Sequence, residues 1–124
     1  MQRTINFRGK RVDNGEWVYG YFTKYSPVAK GSIIETDIDD FQVIPETVGQ
    51  FTGLTDKNGK EIYEGDIVVD KSWANEKPQV VTWESRFLLI YTDGYGVQRY
   101  DYKGDVSKKF EVIGNIHDNH ELLK

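Results

Sequence analysis

The chain has 124 residues, no cysteine, 16 basic and 20 acidic residues, and a formal net charge of −4. The absence of cysteine excludes a disulfide framework and thiolate chemistry, and the acidic balance argues against a protein that wraps nucleic acid by bulk charge. The length fits a single domain over 1–124, with a core large enough to need no cross-links.

The N-terminal segment lacks the apolar region of a signal peptide. The longest apolar run, 87–91, is far shorter than the roughly 20 residues that span a membrane. We therefore expect a cytoplasmic location, and the lack of cysteine agrees with a reducing compartment.

Charge is unevenly distributed along the sequence. The first basic residues precede every acidic one and are Arg3, Arg8, Lys10 and Arg11. The stretch between Lys30 and Lys57 has no basic residue but contains Glu35, Asp37, Asp39, Asp40, Glu46 and Asp56. These groups form either two ordinary solvated surfaces or the two ends of a dipolar protein. If they lie on different faces, head-to-tail contact between copies brings opposite charges together.

Three dipeptides have the composition of tight hairpin turns, and each lies between strand-like segments. They are Asn14-Gly15, Asn58-Gly59 and Asp93-Gly94. Each can supply the positive φ angles of a type I′ turn, whose twist matches that of the flanking strands. Val and Ile greatly outnumber Leu and Ala, and β-branched side chains favour strands over helices.

The first hairpin contains an alternating aromatic strand. Its pattern places Trp17, Tyr19 and Tyr21 on one face and the residues between and after them, Val18, Gly20 and Phe22, on the other. In the strand before it, Arg8 and Lys10 alternate with apolar positions. The basic start of the chain is therefore expected on the solvent side of that strand.

The later segments continue the β pattern. The uniformly apolar segment 87–91 predicts a central strand covered on both sides, paired with 79–84. In 110–116, Gly114 predicts a bulge or crossing point. Helix signals are limited to a turn after Pro45 and a short helix near 118–123. These features predict an all-β fold, a small antiparallel barrel (SH3-like or related) with extra hairpins and one or two short helical turns.

The segment Tyr63-Glu64-Gly65-Asp66 could be a catalytic site, a metal site or a corner of the β structure. Carboxylates can bind a divalent cation, but such a site needs several converging oxygens, and this turn supplies two. In a corner, Gly65 would take a bent or left-handed conformation and Asp66 would bond to nearby backbone. We favour the corner.

Two other patterns could indicate a metal site. Residues 35–40 carry aspartates at alternate positions, but they lack the central glycine and late glutamate of an EF-hand loop. An exposed acidic loop or strand edge is the better interpretation. His117 and His120 have helical spacing but lie near the end of the sequence, where a solvated segment is expected. We therefore predict no metal, no cofactor and no catalytic residue.

Most aromatic side chains are expected to fill the core. The tyrosines in polar contexts are the ones expected to be available for a partner, and they are Tyr25, Tyr95, Tyr100 and Tyr102. With the basic residues at the start of the chain, they make up the predicted binding surface.

Three long stretches resemble successive signatures of the YopX family. They are FRGKRVDNGEWVYGYF (7–22), VIPETVGQFTGLTDKNGKEIYEGDIV (43–68) and FEVIGNIHDNHELL (110–123). The family consists of small proteins encoded by bacteriophages and prophages of Gram-positive bacteria. His120 departs from the proline that is more usual in the family. The resemblance implies phage origin and a β-rich, self-associating fold, and it carries over no activity and no catalytic residue.

These observations predict a non-enzymatic phage or prophage accessory protein that acts by binding a host or phage protein and by self-association. A first alternative is a nucleic-acid-binding module that uses the N-terminal basic strand and nearby aromatic rings. A second alternative is a metal-dependent hydrolase, because carboxylates distant in sequence can converge in a fold.

Overall fold

The computed structural model describes residues 6–26, 31–71, 78–83, 87–93, 96–101 and 109–123; for 24–26, 83, 87–93 and 96–101 the backbone alone is described. The strands are β1 (Phe7–Lys10), β2 (Trp17–Ser26), β3 (Gly31–Glu35), β4 (Asp40–Val43), β5 (Gly49–Thr55), β6 (Glu61–Tyr63), β7 (Asp66–Asp70), β8 (Gln79–Trp83), β9 (Phe87–Asp93), β10 (Gly96–Asp101) and β11 (Phe110–Asn115). Short 3₁₀ turns lie at Pro45–Thr47 and His120–Leu123. The predicted all-β class with short helical turns is confirmed.

The strands form two antiparallel sheets, with orders β4-β3-β2-β1-β5-β6 and β10-β9-β8-β7-β11. The chain divides into two compact units, 1–51 and 52–124. The boundary falls within β5, and each unit is described separately below. The expectation of one domain over the whole chain stays a prediction.

The first unit is a strongly curled sheet. After β1 ends, the chain reaches the end of β4: Val12 N–H donates to the Gln42 carbonyl at 3.0 Å, and Ile44 N–H donates to the Lys10 carbonyl at 2.9 Å. This contact brings Val43 against Gly9, where a Cβ atom would lie 3.0 Å from the Val43 Cβ. Glycine at position 9 therefore allows the two strands to approach.

The curled sheet is not a closed barrel, so the barrel prediction differs from the described structure. β1 pairs with β2 along its length and with β5 at Phe7 and Arg8. Because both edges of β1 are used at these two positions, β4 meets the chain only after Arg8, at the Lys10 carbonyl and at a single bridge that joins Arg11 to Val43.

The second unit has its core around three fully buried residues, Ile62, Val68 and Val81, with Leu54, Phe110 and Val112 packed against them. Its central strand β7 is buried along most of its length because it lies between β8 and β11. The predicted pairing of the segment near 79–84 with 87–91 is confirmed by the β8–β9 ladder. The predicted irregularity at Gly114 is also confirmed, since the β11–β7 register shifts between Val112 and Gly114.

No helix within the described ranges has both the length and the apolar character of a membrane-spanning segment.

Candidate functional site

The candidate site is the outer face of the curled sheet in the first unit. Residues paired directly across strands share a face. Lys10 pairs with Trp17 and Arg8 pairs with Tyr19 between β1 and β2. We use "outer face" for these four residues together with Tyr21, Glu35 and Asp40, which continue the same face onto β3 and β4.

Two cations of β1 lie over the indole ring of Trp17. The Arg8 Cζ atom is 4.6 Å and the Lys10 Nζ atom is 5.7 Å from the ring centroid. Such contacts are attractive because the ring face carries a negative partial charge. Arg8 is only 5% exposed, whereas Lys10 is half-buried.

The two tyrosines that follow Trp17 on β2 are exposed. Tyr19 is 48% exposed and Tyr21 is 70% exposed. Large aromatic side chains in this position are typical of the centres of protein interfaces. The sequence pattern indicates that Tyr19 and Tyr21 share a face, but we expected most aromatic side chains to lie in the core. On β2, the residues Val18, Gly20 and Phe22 of the opposite face have no polar side-chain atom, whereas Tyr19 and Tyr21 each carry a hydroxyl group. That difference is the signal that could have identified the exposed face.

The outer face ends in an acidic row. Tyr21 lies directly opposite Glu35, and Glu35 lies directly opposite Asp40. Both carboxylates are exposed. The turn between them is held by Thr36, whose Oγ1 accepts from the Asp39 N–H at 3.2 Å and donates to the Asp39 carbonyl at 2.8 Å. The acidic residues 35–40 thus form the end of β3, a tight turn and the start of β4.

Arg11 is held away from the outer face. Its Nε and guanidinium nitrogens donate to the Asp13 carboxylate at 2.9 and 2.6 Å, and its Cζ lies 4.4 Å from the centroid of the Phe41 ring. The hydrogen bond from Arg11 lowers the pKa of the exposed Asp13 carboxyl, against a smaller effect of burial. Of the predicted basic residues, the structure therefore brings Arg8 and Lys10 together and separates Arg11 from them.

Several predicted surface and turn residues lie outside the described residues, namely Arg3, Gly94, Tyr95 and Tyr102. Tyr25, Asp93 and Tyr100 are described by their backbone alone, in β2, β9 and β10. Their proposed roles stay predictions. Asn14 accepts from the Glu16 N–H at 2.9 Å in the first hairpin loop, where Gly15 has a φ of 73°.

The segment 63–66 turns the chain between β6 and β7. The Tyr63 N–H donates to the Asp66 Oδ2 at 2.8 Å, and Gly65 has a φ of 92°. Gly65 also donates to the Val81 carbonyl at 2.8 Å and accepts from the Ile116 N–H at 2.9 Å. Asp66 is almost fully buried and serves the backbone of this turn. In the part of the chain that is described, no group of three or more potential metal-binding side chains occurs.

Asp56 is a buried carboxylate that the sequence did not identify as structural. Its Oδ1 accepts from the backbone N–H groups of Asn58 and Lys60 at 2.8 and 2.9 Å, and its Oδ2 accepts from Val112 N–H at 2.9 Å. Burial is the largest single influence and raises the pKa of this carboxyl group, but the three hydrogen bonds and the charge of Lys60 together lower it by more, so the pKa lies below its ordinary value. An aspartate two residues before Asn58-Gly59 is the local signal of such a turn.

The histidines lie in the last described segment. His117 N–H donates to the Asn115 Oδ1 at 2.9 Å, and His120 begins the final 3₁₀ turn. The hydrogen bonds of Asn115 shape this turn, since its Oδ1 also accepts from the Asp118 N–H.

Comparison with known proteins relates the chain to a family and to solved structures. A family model described as YopX protein matches residues 6–124. The crystal structure of protein EF1440 from Enterococcus faecalis is similar to this chain with a TM-score of 0.60 and 24% sequence identity, covering 99% of this chain and 100% of that one. At this identity the likeness concerns the fold. No curated protein matches the chain.

Proposed function

The chain belongs to the YopX family, and on that premise we propose that it is a non-enzymatic phage or prophage accessory protein that binds other proteins and copies of itself in the host cytoplasm. The observation that carries the proposal is the exposure of Tyr19 and Tyr21 on a regular strand. Solvent contact with two neighbouring aromatic rings is unfavourable, and a partner protein that covers them would remove that cost.

A protein partner fits the outer face better than nucleic acid does. Phosphate binding needs cations that can release counterions, but Arg8 is buried and Arg11 is held by Asp13. The same face carries the exposed carboxylates of Glu35 and Asp40, which repel a phosphate backbone. The exposed rings of Tyr19 and Tyr21 are therefore better suited to contact side chains of another protein than to stack on nucleotides.

The buried carboxylates favour a structural role over catalysis. Asp56 and Asp66 both accept hydrogen bonds from backbone N–H groups, so their oxygens are committed to shaping turns. For the segment 63–66, which contains Asp66, this supports a structural role and the non-enzymatic proposal.

Light scattering of the wild type and of the double variant Tyr19→Ser/Tyr21→Ser tests the proposal. We expect the wild type to show a mass above the 14.4 kDa of one chain at tens of micromolar, where a micromolar interface is largely occupied. The double variant should return to the single-chain mass, because it removes the aromatic surface that association covers.

Val12→Ser is the matched control, since Val12 is an exposed apolar residue of the hairpin loop that lies outside the outer face. It should leave the mass unchanged. An assembly that persists in the tyrosine variant would contradict this assignment of the interface, and a wild type that stays monomeric would contradict self-association.

A further inference from the structure

We infer that the outer face pairs with the outer face of a second copy about a two-fold axis at Tyr19, with Lys10 of each copy opposite the Glu35–Asp40 pair of the other. This inference rests on the proposed function and specifies its partner and geometry. It also replaces the expectation of head-to-tail contact, because the described basic and acidic groups Lys10, Glu35 and Asp40 share one face.

The strand register places Tyr19 midway between the opposite charges. Lys10 pairs with Trp17, so it lies one strand away from Tyr19 and two residues along the strand direction. Glu35 pairs with Tyr21, so it lies one strand away on the other side and two residues along in the opposite direction. With ordinary strand spacing and rise, each charged residue is roughly 8 Å from Tyr19.

This arrangement is self-complementary. A two-fold axis that lies in the plane of the face, passes through Tyr19 and runs perpendicular to the line from Lys10 to Glu35 exchanges these two positions between copies. Each Lys10 then meets Glu35 of the other copy, and the same contact occurs twice. Closed two-fold assemblies use one patch on both subunits in this way, so the geometry gives a dimer with no open end.

The acidic row has an unfavourable feature that pairing would relieve. Glu35 and Asp40 are exposed and directly opposite each other in an antiparallel pair, where like charges are destabilising. In the described ranges, no hydrogen bond or ion pair involves either side chain. A lysine from a second copy would place a positive charge between two negative ones, and the exposed ring of Tyr21 beside them also attracts a cation.

A stable interface needs an apolar centre in addition to charge pairs, and the rings of Trp17, Tyr19 and Tyr21 supply it. Across the axis, Tyr19 faces Tyr19 of the second copy, and Trp17, which pairs with Lys10, lies beside each Lys10–Glu35 contact. Interfaces of this kind have an aromatic centre and a charged rim. The charges then fix the register of pairing, which is their usual contribution.

Charge exchange tests the pairing with two single variants, Lys10→Glu and Glu35→Lys. Each variant alone creates two like-charge contacts in the symmetric dimer, so we expect its association constant to fall about tenfold or more. An equimolar mixture of the two variants restores both contacts as Glu–Lys pairs. The mixture should therefore form a dimer of one copy of each, at twice the 14.4 kDa chain mass, as measured by native mass spectrometry and light scattering.

Recovery in the mixture also shows that both variants are folded. Glu46→Lys, which changes an exposed acid of the Pro45–Thr47 turn outside the outer face, is the control and should leave the dimer unchanged. Failure of the mixture to recover overturns the pairing, as does a complex larger than two chains. If Tyr19→Ser/Tyr21→Ser still abolishes association in that case, the proposed function survives and only this geometry fails.

Asp40→Asn is a second test, in which the stability of the monomer and the strength of dimerisation should change in opposite directions. A purely structural role of Asp40 would not produce that result. It removes the like-charge opposition to Glu35 and weakens the site for Lys10. We therefore expect a higher melting temperature for the dilute monomer together with weaker dimerisation. A variant that loses stability, or that dimerises as tightly as the wild type, overturns the inference.

Discussion

At the scale of single residues, Asp56 joins the turn that follows β5 to the edge strand β11. Its carboxylate accepts three backbone hydrogen bonds, one of them from Val112 far along the chain. Asp56→Asn replaces one acceptor oxygen by an NH₂ group, which then faces backbone donors. Because buried donors are left without a partner, we expect the free energy of unfolding to fall by about 1–3 kcal/mol at pH 7, as measured by urea denaturation.

The same carboxylate makes this difference depend on pH. Its pKa is lowered in the folded protein, so its contribution to stability is complete above the unfolded pKa of about 3.9 and is lost as the pH falls through the lower folded pKa. The stability gap between the wild type and Asp56→Asn should therefore narrow below about pH 4. Asp37→Asn, at an exposed position of the β3–β4 turn, is the control. A gap that is equal at pH 7 and pH 3 would refute the assigned role of the charge.

At the scale of elements, the turn between β5 and β6 depends on the backbone conformation of Gly59. Its φ is 84°, and a Cβ atom there would meet no other atom within 4 Å, so the cost of a side chain comes from conformation alone. Gly59→Val should lower the free energy of unfolding by about 1–2 kcal/mol, because a β-branched residue resists positive φ. Gly59→Asn should lose clearly less, since asparagine tolerates the left-handed region. Equal losses for the two variants in thermal denaturation would show that positive φ is not the cause.

At the scale of the whole molecule, the net charge of −4 and the placement of the cations predict weak binding to nucleic acid. We expect fluorescence anisotropy with a labelled single-stranded oligonucleotide to show no steeply salt-dependent binding at physiological ionic strength. Lys10→Glu should behave like the wild type in this assay while it loses self-association. Tight binding that weakens strongly with salt and disappears in Lys10→Glu would instead favour the nucleic-acid alternative.

The β-rich class, the short helical turns and the irregularity at Gly114 could all be predicted from the amino-acid sequence. These features follow from local rules: side chains alternate along a strand, proline begins a helical turn, and a glycine within a strand marks a bulge. The family could also be inferred from the sequence, because its long signatures are continuous in the chain.

The residues that form the candidate site could not be identified without the three-dimensional fold. The exposure of Tyr19 and Tyr21, the shared face of Lys10 and Glu35, and the contact of β4 with the end of β1 all depend on how separate strands pair. The role of Asp56 likewise depends on its contact with Val112, 56 residues away. Alternation places residues on opposite faces of a strand, but the face that is buried depends on what packs against it.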